Sequence, residues 1–256
     1  MLKSNLKTLI KKLIHNNSIL FQIYYSFIWH PKNDLEQFLN NYSKSMKNCL
    51  FFICIGANDD MTDDPYYKFI RRDKWQGILI EPQRSIFERL RKNYSKFKFN
   101  GLKFENVAIF EKNEIRKLYK VSFSNSRRAS GISSFIKDDV MKVLETGYAE
   151  KISREDNVNI PVNKEDWITT EDVVCITFDN LLSKYKITKI DLLAIDTEGY
   201  DYEIIRTIPF ERIKPKVIIY EHTHFNEIVK NECSEFLKSL GYKLKITKSD
   251  TIAFLE

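Results

Sequence analysis

Glycine, paired cysteines and long apolar stretches are scarce in this 256-residue chain. Its 7 glycines are fewer than half of the ~7% that is usual in proteins, so a glycine at a turn is informative. The 4 cysteines form no C-x-x-C pair and show no zinc-type spacing, which favours reduced thiols in a cytoplasmic protein. No stretch approaches the ~20 unbroken apolar residues of a membrane span. These absences argue against a structural zinc site and a membrane-spanning helix.

The chain has enough apolar material to fold around a core. It is 43% hydrophobic and 13% aromatic, which excludes disorder over most of its length. The net charge is +6, and residues 1–33 contain five lysines and no acid. A protein that grips a nucleic-acid backbone would carry its excess charge on the folded domain. We therefore expect no nucleic-acid partner.

The first 48 residues predict a basic helical extension. Leucine and isoleucine recur at helical spacing between the lysines, and a helix is predicted over Asp34–Ser45 with Asn33 as its N-cap. One interpretation is a helical cap that packs on the main domain. The other is an amphipathic helix that rests on an anionic membrane surface, which would place a cytoplasmic protein at the inner face of the membrane. The oligomeric state is left open.

Residues 49–256 alternate between apolar strands and amphipathic helices. This rhythm predicts an α/β fold with a doubly wound, mostly parallel sheet and helices on both faces. The predicted strands are Leu50–Ile55, Gly77–Ile80, Leu102–Ile109, Ile190–Ile195 and Lys216–Tyr220, with a closing pair at Tyr242–Ile246 and Thr251–Leu255. The predicted helices are Tyr66–Arg72, Ser85–Tyr94, Asp201–Thr207 and Asn226–Leu240. Residues 110–174 are polar and break the rhythm, and we interpret them as an insertion on the binding face, with a strand at Ile115–Phe123.

Ligands bind at the carboxyl ends of strands in open parallel sheets. The first strand ends at Gly56, where glycine permits a tight turn and close backbone approach to a ligand. The second and third glycines of a nicotinamide fingerprint are missing, and no phosphate-binding P-loop follows. Glu81 ends the second strand, 25 residues after Gly56, where an acid holds a ribose diol in mononucleotide-type folds. These features predict a nucleoside site.

Polar residues also follow the fourth and fifth strands. Asp196 and Glu198 come after the fourth strand, and Glu221, His222 and His224 come after the fifth. Carboxylates and imidazoles at neighbouring strand ends can perform acid–base chemistry or hold a divalent cation.

Four segments carry a family signature: Phe52–Asp59 (FICIGAND), Ile80–Pro82 (IEP), Asn106–Ile109 (NVAI) and Asp191–Glu203 (DLLAIDTEGYDYE). Together they resemble the FkbM-type S-adenosylmethionine-dependent methyltransferase family, over about Cys49–Leu255. The resemblance implies a Rossmann-like class I methyltransferase fold with a seven-stranded sheet whose last strand is antiparallel. It also implies S-adenosylmethionine as cofactor and methyl transfer to oxygen, often on sugars. We therefore expect an O-methyltransferase acting on a small-molecule or glycan hydroxyl.

The resemblance also assigns roles to residues. The cofactor-binding residues it implies are Gly56, Ala57, Asn58, Glu81, Pro82, Asn106, Val107 and Asp196. Cys54 stands where such folds usually have an acid, so Asp59 or Asp60 is expected to take part instead. We predict His222 or Asp196 as the base, with Glu198 orienting it or the substrate. The predicted acceptor-binding residues are Arg128, Ser130, Ser133, Glu221 and His224.

Three alternatives remain open at this stage. A magnesium ion could be held by Asp196, Glu221 and His222, although a histidine suits Mg²⁺ poorly, and we expect no metal. The missing acid at Cys54 and the basic head are compatible with a non-catalytic scaffold or membrane-associated module. A nicotinamide-dependent oxidoreductase on the same fold is disfavoured by the missing glycines. Fold alone does not identify the acceptor.

Overall fold

Short apolar runs form the strands at the centre of the protein. A computed structural model describes residues 13–47, 49–59, 64–97 and 99–255; the predicted head helix before residue 13 and Asp60 lie outside the described residues. The described strands are β1 (Phe51–Ile55), β2 (Gln76–Ile80), β3 (Leu102–Glu105), β4 (Ala108–Ile109), β5 (Glu114–Val121), β6 (Ser133–Ser134), β7 (Ile168–Ile176), β8 (Leu192–Ile195), β9 (Val217–Glu221), β10 (Lys243–Ile246) and β11 (Asp250–Phe254).

Helices connect most of these strands. The described α-helices are α1 (Ser18–Ile23), α2 (Asp34–Ser45), α3 (Tyr67–Asp73), α4 (Arg84–Ser95), α5 (Arg127–Ser130), α6 (Lys137–Val143), α7 (Ala149–Asp156), α8 (Phe178–Tyr185), α9 (Asp201–Arg206) and α10 (Glu227–Ser239). Wider π-helical turns cover Tyr24–Ile28 and Leu144–Tyr148, and a 3₁₀ turn covers Lys164–Trp167. Within the described ranges, no helix is long and apolar enough to cross a bilayer.

The main sheet follows the order β3-β2-β1-β8-β9-β11-β10, which makes seven strands among the described residues. Neighbouring strands are parallel from β3 to β9, whereas β11 is antiparallel to both β9 and β10. Parallel neighbours need crossover connections, and helices supply them. The predicted sheet, mostly parallel with an antiparallel last strand, is confirmed.

Helices cover both faces of this sheet. Successive side chains of a strand point to opposite faces, so Phe52 and Cys54 of β1 pack with α1 to α4, while Ile53 and Ile55 pack with α8 to α10. The N-terminal helices therefore lie on one face of the sheet. The predicted cap of α2 is confirmed, because the side chain of Asn33 accepts a hydrogen bond from the Glu36 N–H at 2.8 Å.

The predicted third strand, Leu102–Ile109, is divided into two strands. β3 pairs with β2 in the main sheet, and β4 pairs with β7 in a second sheet. Between them, the side-chain amide of Asn106 donates to the carbonyl oxygens of Glu81 and Pro82 at 2.9 and 2.8 Å. These bonds hold the chain where it leaves the main sheet, which explains why one apolar run serves two sheets.

The insertion forms the second sheet, in the order β4-β7-β5-β6. β5 and β7 pair antiparallel from Glu114 opposite Cys175 to Val121 opposite Ile168. Val121, Leu144, Ile152 and Trp167 belong to a separate apolar cluster beneath this sheet. The sequence predicts a strand close to β5 but does not predict β7 or α8, because the first five residues of β7 are mostly polar and only Val173 and Cys175 are buried.

Candidate active site

The turn after β1 lies against the end of β8. Gly56 has a φ of +80°, and a Cβ added there would lie 1.8 Å from the carbonyl oxygen of Asp196. Both the backbone conformation and the space therefore require glycine. The N–H groups of Gly56 and Ala57 donate to the carbonyl oxygen of Ile80 at 3.0 and 2.9 Å. The ends of β1, β2 and β8 thus form one crevice.

Glu81 lies directly after β2, with only 4% of its surface exposed. Its carboxylate accepts hydrogen bonds from the N–H groups of Asn58, at 3.0 Å, and Gln83, at 2.8 Å. Burial raises the pKa of Glu81 to about 7, although both backbone bonds oppose this shift. Each carboxylate oxygen has two lone pairs, so Glu81 can still accept bonds from a ligand.

A buried carboxylate, Asp201, fixes the loop between β8 and α9. It is 0% exposed and accepts from the N–H and hydroxyl of Thr197, at 3.2 and 2.8 Å. Its other oxygen accepts from the Glu221 N–H at 3.2 Å. Because one carboxylate joins both loops, the side chains after β8 and β9 are held close together.

Glu198, Glu221 and His224 form the polar cluster that this arrangement produces. Nε2 of His224 lies 3.0 Å from Oε2 of Glu198 and 3.5 Å from Oε2 of Glu221. The hydrogen bond to Glu198 raises the pKa of His224 to about 9. One ligand atom from each residue lies within 4.8 Å of the others, a spacing that could hold a metal ion.

Asp196 lies next to this cluster and still contacts solvent. Loss of hydration and then repulsion from Glu198, Glu221 and Asp201 raise the pKa of Asp196 to about 8. Near neutral pH, Asp196 therefore holds its proton more readily than an ordinary aspartic acid.

His222 is not part of the cluster, which corrects the expectation that it faces Asp196 and Glu198. Its Nδ1 lies 3.0 Å from Oγ1 of Thr251, beside a cavity of about 140 Å³ that Lys230 also lines. The reason is local: the N–H of Phe225 bonds to the carbonyl of His222 at 3.1 Å, and this turn sends the two histidines in different directions. The predicted metal trio of Asp196, Glu221 and His222 is accordingly not brought together.

A segment of the insertion, residues 126–134, covers the crevice; we call it the lid. Nη1 of Arg127 lies 3.3 Å from Asp59, and the side-chain amide of Gln83 donates to the Ser130 carbonyl at 2.8 Å and approaches the Ser133 hydroxyl at 3.3 Å. A Cβ added to Gly131 would lie 3.2 Å from Oε1 of Glu198. The lid thus touches the loops after β1, β2 and β8.

Arg128 of the lid, for which acceptor binding stays a prediction, is paired within the insertion in the unliganded protein. It forms ion pairs with Glu155 and, at 3.2 Å, with Asp156 at the end of α7. Ser130 is 6% exposed, and its hydroxyl donates to the Arg127 carbonyl at 3.0 Å. Both side chains therefore stabilise the insertion itself.

Comparison with protein families supplies the deciding observation. The family model described as methyltransferase FkbM domain matches residues 55–244, which includes every loop of the crevice. The chain belongs to this family. The family is one of S-adenosylmethionine-dependent methyltransferases, so S-adenosylmethionine is the methyl donor that membership implies. No curated protein matches the chain significantly.

Solved methyltransferase structures resemble the chain at low sequence identity. An FkbM methyltransferase from Methylobacillus flagellatus is 12% identical, with a TM-score of 0.49 over 81% of this chain and 44% of that chain. A precorrin-6y C5,15-methyltransferase from Geobacter metallireducens is 12% identical, with a TM-score of 0.45 over 90% and 93%. A ribosomal protein L11 methylase from Lactobacillus delbrueckii is 7% identical, with a TM-score of 0.41 over 87% and 78%. At this level of similarity we infer no activity from them.

The crevice of this FkbM-family protein fits the methyl donor that the family implies. The glycine turn packs against the backbone of Asp196, and Glu81 is a buried acceptor next to that turn. Glu198 and Glu221 place negative charge near the same strand ends, which complements a cationic sulfonium centre. Asn106 contributes by holding the carbonyls of Glu81 and Pro82. Val107 is 9% exposed and belongs to the apolar core.

The residue before the glycine turn departs from the pattern expected of the fold. Cys54 is buried in β1, and a neutral thiol does not supply a carboxylate charge. Asp59 is paired with Arg127 of the lid. Asp64, which sequence reasoning did not single out, caps α3 by accepting from the N–H groups of Tyr66 and Tyr67, and its charge contributes to the raised pKa of Asp196. Asp59 and Asp64 are therefore both acids of the loop after β1 that lie near the strand ends.

Other residues at the site also escaped the sequence analysis. Asp201 lies within the segment that carries the family signature, and its position in the first turn of α9 was the available signal. Gln83 and Arg127 had no comparable signal, because their roles depend on contacts between segments that are distant in the chain.

Proposed function

We propose that the protein transfers a methyl group from S-adenosylmethionine to a hydroxyl oxygen of a sugar or glycan, with the Glu198–His224 pair receiving the hydroxyl proton. When bound, the donor supplies a methyl group on positively charged sulfur, already activated for displacement. The observation that carries the proposal is the 3.0 Å hydrogen bond between His224 and Glu198, two residues after the Asp196 backbone that packs on the glycine turn.

Donor binding is assigned to the loops after β1 and β2. The carboxylate of Glu81 faces the crevice with both oxygens already oriented by backbone N–H groups. A carboxylate can accept hydrogen bonds from two neighbouring hydroxyls, which supports ribose recognition at this position. Asn58 is held by Glu81, so the turn and the acid keep a fixed spacing. Such fixed spacing favours alignment, which contributes up to roughly 7–11 kcal/mol in well-oriented reactions.

Proton removal distinguishes an oxygen acceptor from a carbon acceptor at this site. A hydroxyl must lose its proton during or near transfer, and a positioned base contributes about 10²–10⁴-fold. His224 is hydrogen-bonded to Glu198, which orients the imidazole and stabilises its protonated form. A base next to the acceptor hydroxyl, held in place by a carboxylate, supports O-methylation. Asp196, whose pKa is raised to about 8, can donate a hydrogen bond to the acceptor at neutral pH.

The polarity of the cluster supports a polyhydroxylated acceptor. Glu198, Glu221 and His224 are all partly or fully exposed at the crevice, and together they offer several acceptors and a donor to neighbouring hydroxyl groups. Ser133 adds a hydroxyl from the lid. The carboxylates would repel an anionic group placed among them. A neutral sugar hydroxyl therefore suits this site better than a phosphate or carboxylate.

The proposal is tested by incubating the protein with deuterated-methyl S-adenosylmethionine and a panel of neutral glycosides, glycans and nucleotide sugars. Mass spectrometry should detect one labelled methyl group on a sugar, and NMR should place it in a methoxy group. Calorimetry with the donor, its demethylated product and NAD tests the crevice independently of the acceptor. We expect the first two to bind and NAD not to bind.

Different failures contradict different parts of the proposal. A product methylated on nitrogen or carbon would overturn oxygen as the acceptor atom. Binding of neither donor nor demethylated product would favour the scaffold interpretation. Substitution of Glu198 by Gln should abolish transfer while leaving binding of the demethylated product, which lacks the sulfonium charge, near that of the wild type. Loss of binding of this product in the variant would show that Glu198 belongs to the donor site instead.

A further inference from the structure

An apolar helical surface near the N-terminus lies on the opposite side of its helix from the protein core. α1 continues without a break into the π-helical turn Tyr24–Ile28, since Ile23 and Tyr24 both keep right-handed helical conformations. The helix begins at Asn17, whose side chain accepts from the N–H groups of two following residues. It ends where Trp29 becomes extended. We treat residues 18–28 as one helical segment.

The inner face of this segment is anchored by aromatic contacts. Phe21 is 1% exposed, and its ring centroid lies 4.4 Å from that of Tyr25. Trp29 continues the same stripe and meets Phe69 of α3 edge to face, with centroids 5.7 Å apart. The guanidinium carbon of Arg71 lies 3.6 Å from the Phe21 ring centroid. Cation–π and aromatic contacts thus fix the orientation of the helix.

The outer face carries a second apolar stripe. Residues 19, 23 and 27 recur every four positions, as do residues 21, 25 and 29 of the inner face. The two stripes are offset by two residues, which is about 200° around a helix. Phe27 is 80% exposed and Ile19 is 71% exposed. The outer face comprises Ile19, Leu20, Ile23, Phe27 and Ile28, all of which are exposed.

Charge complementarity identifies the occupant of this face. Residues 1–33 contain five lysines and no acidic residue. The outer face itself carries no charge, but in the sequence it is preceded by Lys11 and Lys12 and followed by Lys32. An apolar helix within a basic segment binds where hydrocarbon and anionic headgroups meet, since apolar burial and electrostatic attraction act together there. A second copy of the chain would bring the same positive charge to the interface and be repelled. We propose that the outer face docks on the surface of an anionic lipid membrane.

The proposal is tested by sedimentation of the full chain with vesicles. The probes are phosphatidylcholine vesicles with and without about 30% phosphatidylglycerol, a content that gives the surface a negative potential. We expect binding to the anionic vesicles, weak binding to the neutral ones, and release at about 0.5 M NaCl, where screening shortens the reach of surface charge. Equal binding to both vesicle types, or no binding to either, would overturn the proposal.

A matched pair of variants assigns the binding to the outer face. Ile19→Gln, Ile23→Gln and Phe27→Gln in one protein should weaken vesicle affinity about tenfold or more, because three apolar side chains no longer enter the interface. The control carries Val162→Gln, Ile228→Gln and Ile246→Gln, which change equally exposed apolar residues elsewhere and should leave binding unchanged. Unchanged binding in the first variant, or equal loss in both, would reject the outer face as the docking surface.

Two further measurements keep the outcome unambiguous. Thermal unfolding should be nearly unchanged in both variants, since all six side chains are exposed. Light scattering after gel filtration reports the oligomeric state without lipid. A wild-type dimer that the first variant converts to a monomer would show that the outer face binds a second copy, and would overturn membrane docking. If the wild type and the first variant are both monomers, membrane docking is supported.

Discussion

Nε2 of His224 and Oε2 of Glu198 lie 3.0 Å apart, although the two residues follow different strands. Asp201 makes this possible, because its buried carboxylate bonds to backbone N–H groups in both loops. The pair therefore rests on a buried positioning residue and stays open to solvent. A protonated imidazole beside a carboxylate is the state that this geometry favours in the unliganded protein.

His224→Gln should lower methyl transfer about 10²–10⁴-fold, the contribution of a positioned base. His222→Gln is the matched control, since His222 lies against Thr251 outside the cluster. The control should keep most of the activity and of the donor affinity. Steady-state assays near pH 9, where about half of the His224 side chains are neutral, give the clearest difference. Equal losses in both variants would remove His224 from this role.

The same pair predicts the pH dependence of the reaction. Because the hydrogen bond to Glu198 raises the pKa of His224 to about 9, the neutral base becomes more abundant as pH rises towards that value. The kcat/KM for the acceptor at a saturating donor concentration, where donor affinity no longer limits the rate, should therefore increase from pH 7 to about 9. This limb should disappear in His224→Gln. A flat profile in the wild type would contradict the assignment.

Glu81→Gln should weaken binding of the methyl donor about 10–100-fold, since hydrogen bonds to a charged acceptor contribute about 1.5–3 kcal/mol. Wild-type affinity should improve as pH rises through about 7, where Glu81 ionises. The affinity of the variant should not follow pH in this range. Calorimetric titration with the demethylated product between pH 6 and 8 measures both effects. A pH-independent wild-type affinity would argue against ribose recognition by Glu81.

Gly56→Ala should destabilise the protein and abolish donor binding. The added Cβ would lie 1.8 Å from the Asp196 carbonyl oxygen, in a backbone with φ of +80°. Gly241→Ala is the control, because Gly241 has φ of +92° with no atom within 4 Å of an added Cβ. The control isolates the conformational cost, roughly 1–2 kcal/mol. Calorimetry and thermal unfolding should therefore show a larger loss of donor binding and of stability in Gly56→Ala than in Gly241→Ala. Donor binding by Gly56→Ala would contradict the assignment of the crevice as the donor site.

Asp196→Asn should stabilise the unliganded protein while lowering activity. Loss of hydration and then repulsion from neighbouring carboxylates raise the pKa of Asp196 from 3.8 to about 8, so the folded state retains a proton that the unfolded state releases between these values. Wild-type stability should therefore fall as pH rises from about 4 to about 8. Asparagine carries no charge at any pH. The stability that Asp196→Asn gains over the wild type should therefore be greater at pH 8.5 than at pH 5. A gain of about 1 kcal/mol in the free energy of unfolding would raise the Tm by roughly 2–4 °C.

The sequence predicts the main sheet well, because buried parallel strands are short and continuously apolar. β1, β2, β8 and β9 begin and end within two residues of their predicted limits. The second sheet is less predictable, since β7 begins with mostly polar residues and buries only two of its side chains. The division of Leu102–Ile109 depends on Asn106 bonding to residues 24 and 25 positions earlier. Such long-range bonds leave no periodic signal.

The site is predicted at the level of loops rather than of individual side chains. Clustering after β8 and β9 follows from parallel topology, and the structure brings Glu198, Glu221 and His224 together. The choice between His222 and His224 depends on a turn whose direction the sequence does not specify. The ion pair between Arg128 and Asp156 at the end of α7 depends on how the insertion folds. The catalytic and binding roles of these site residues stay predictions.

The pairing of Ala108 and Ile109 with Cys175 and Ile176 brings the two ends of the insertion side by side. A segment whose ends are neighbours can be exchanged without opening the framework that carries it. The donor crevice is built from β1, β2 and β8, outside this segment. The insertion with its lid is therefore exchangeable between relatives as one segment, with Gln83 and Asp59 as the contact points for the incoming lid.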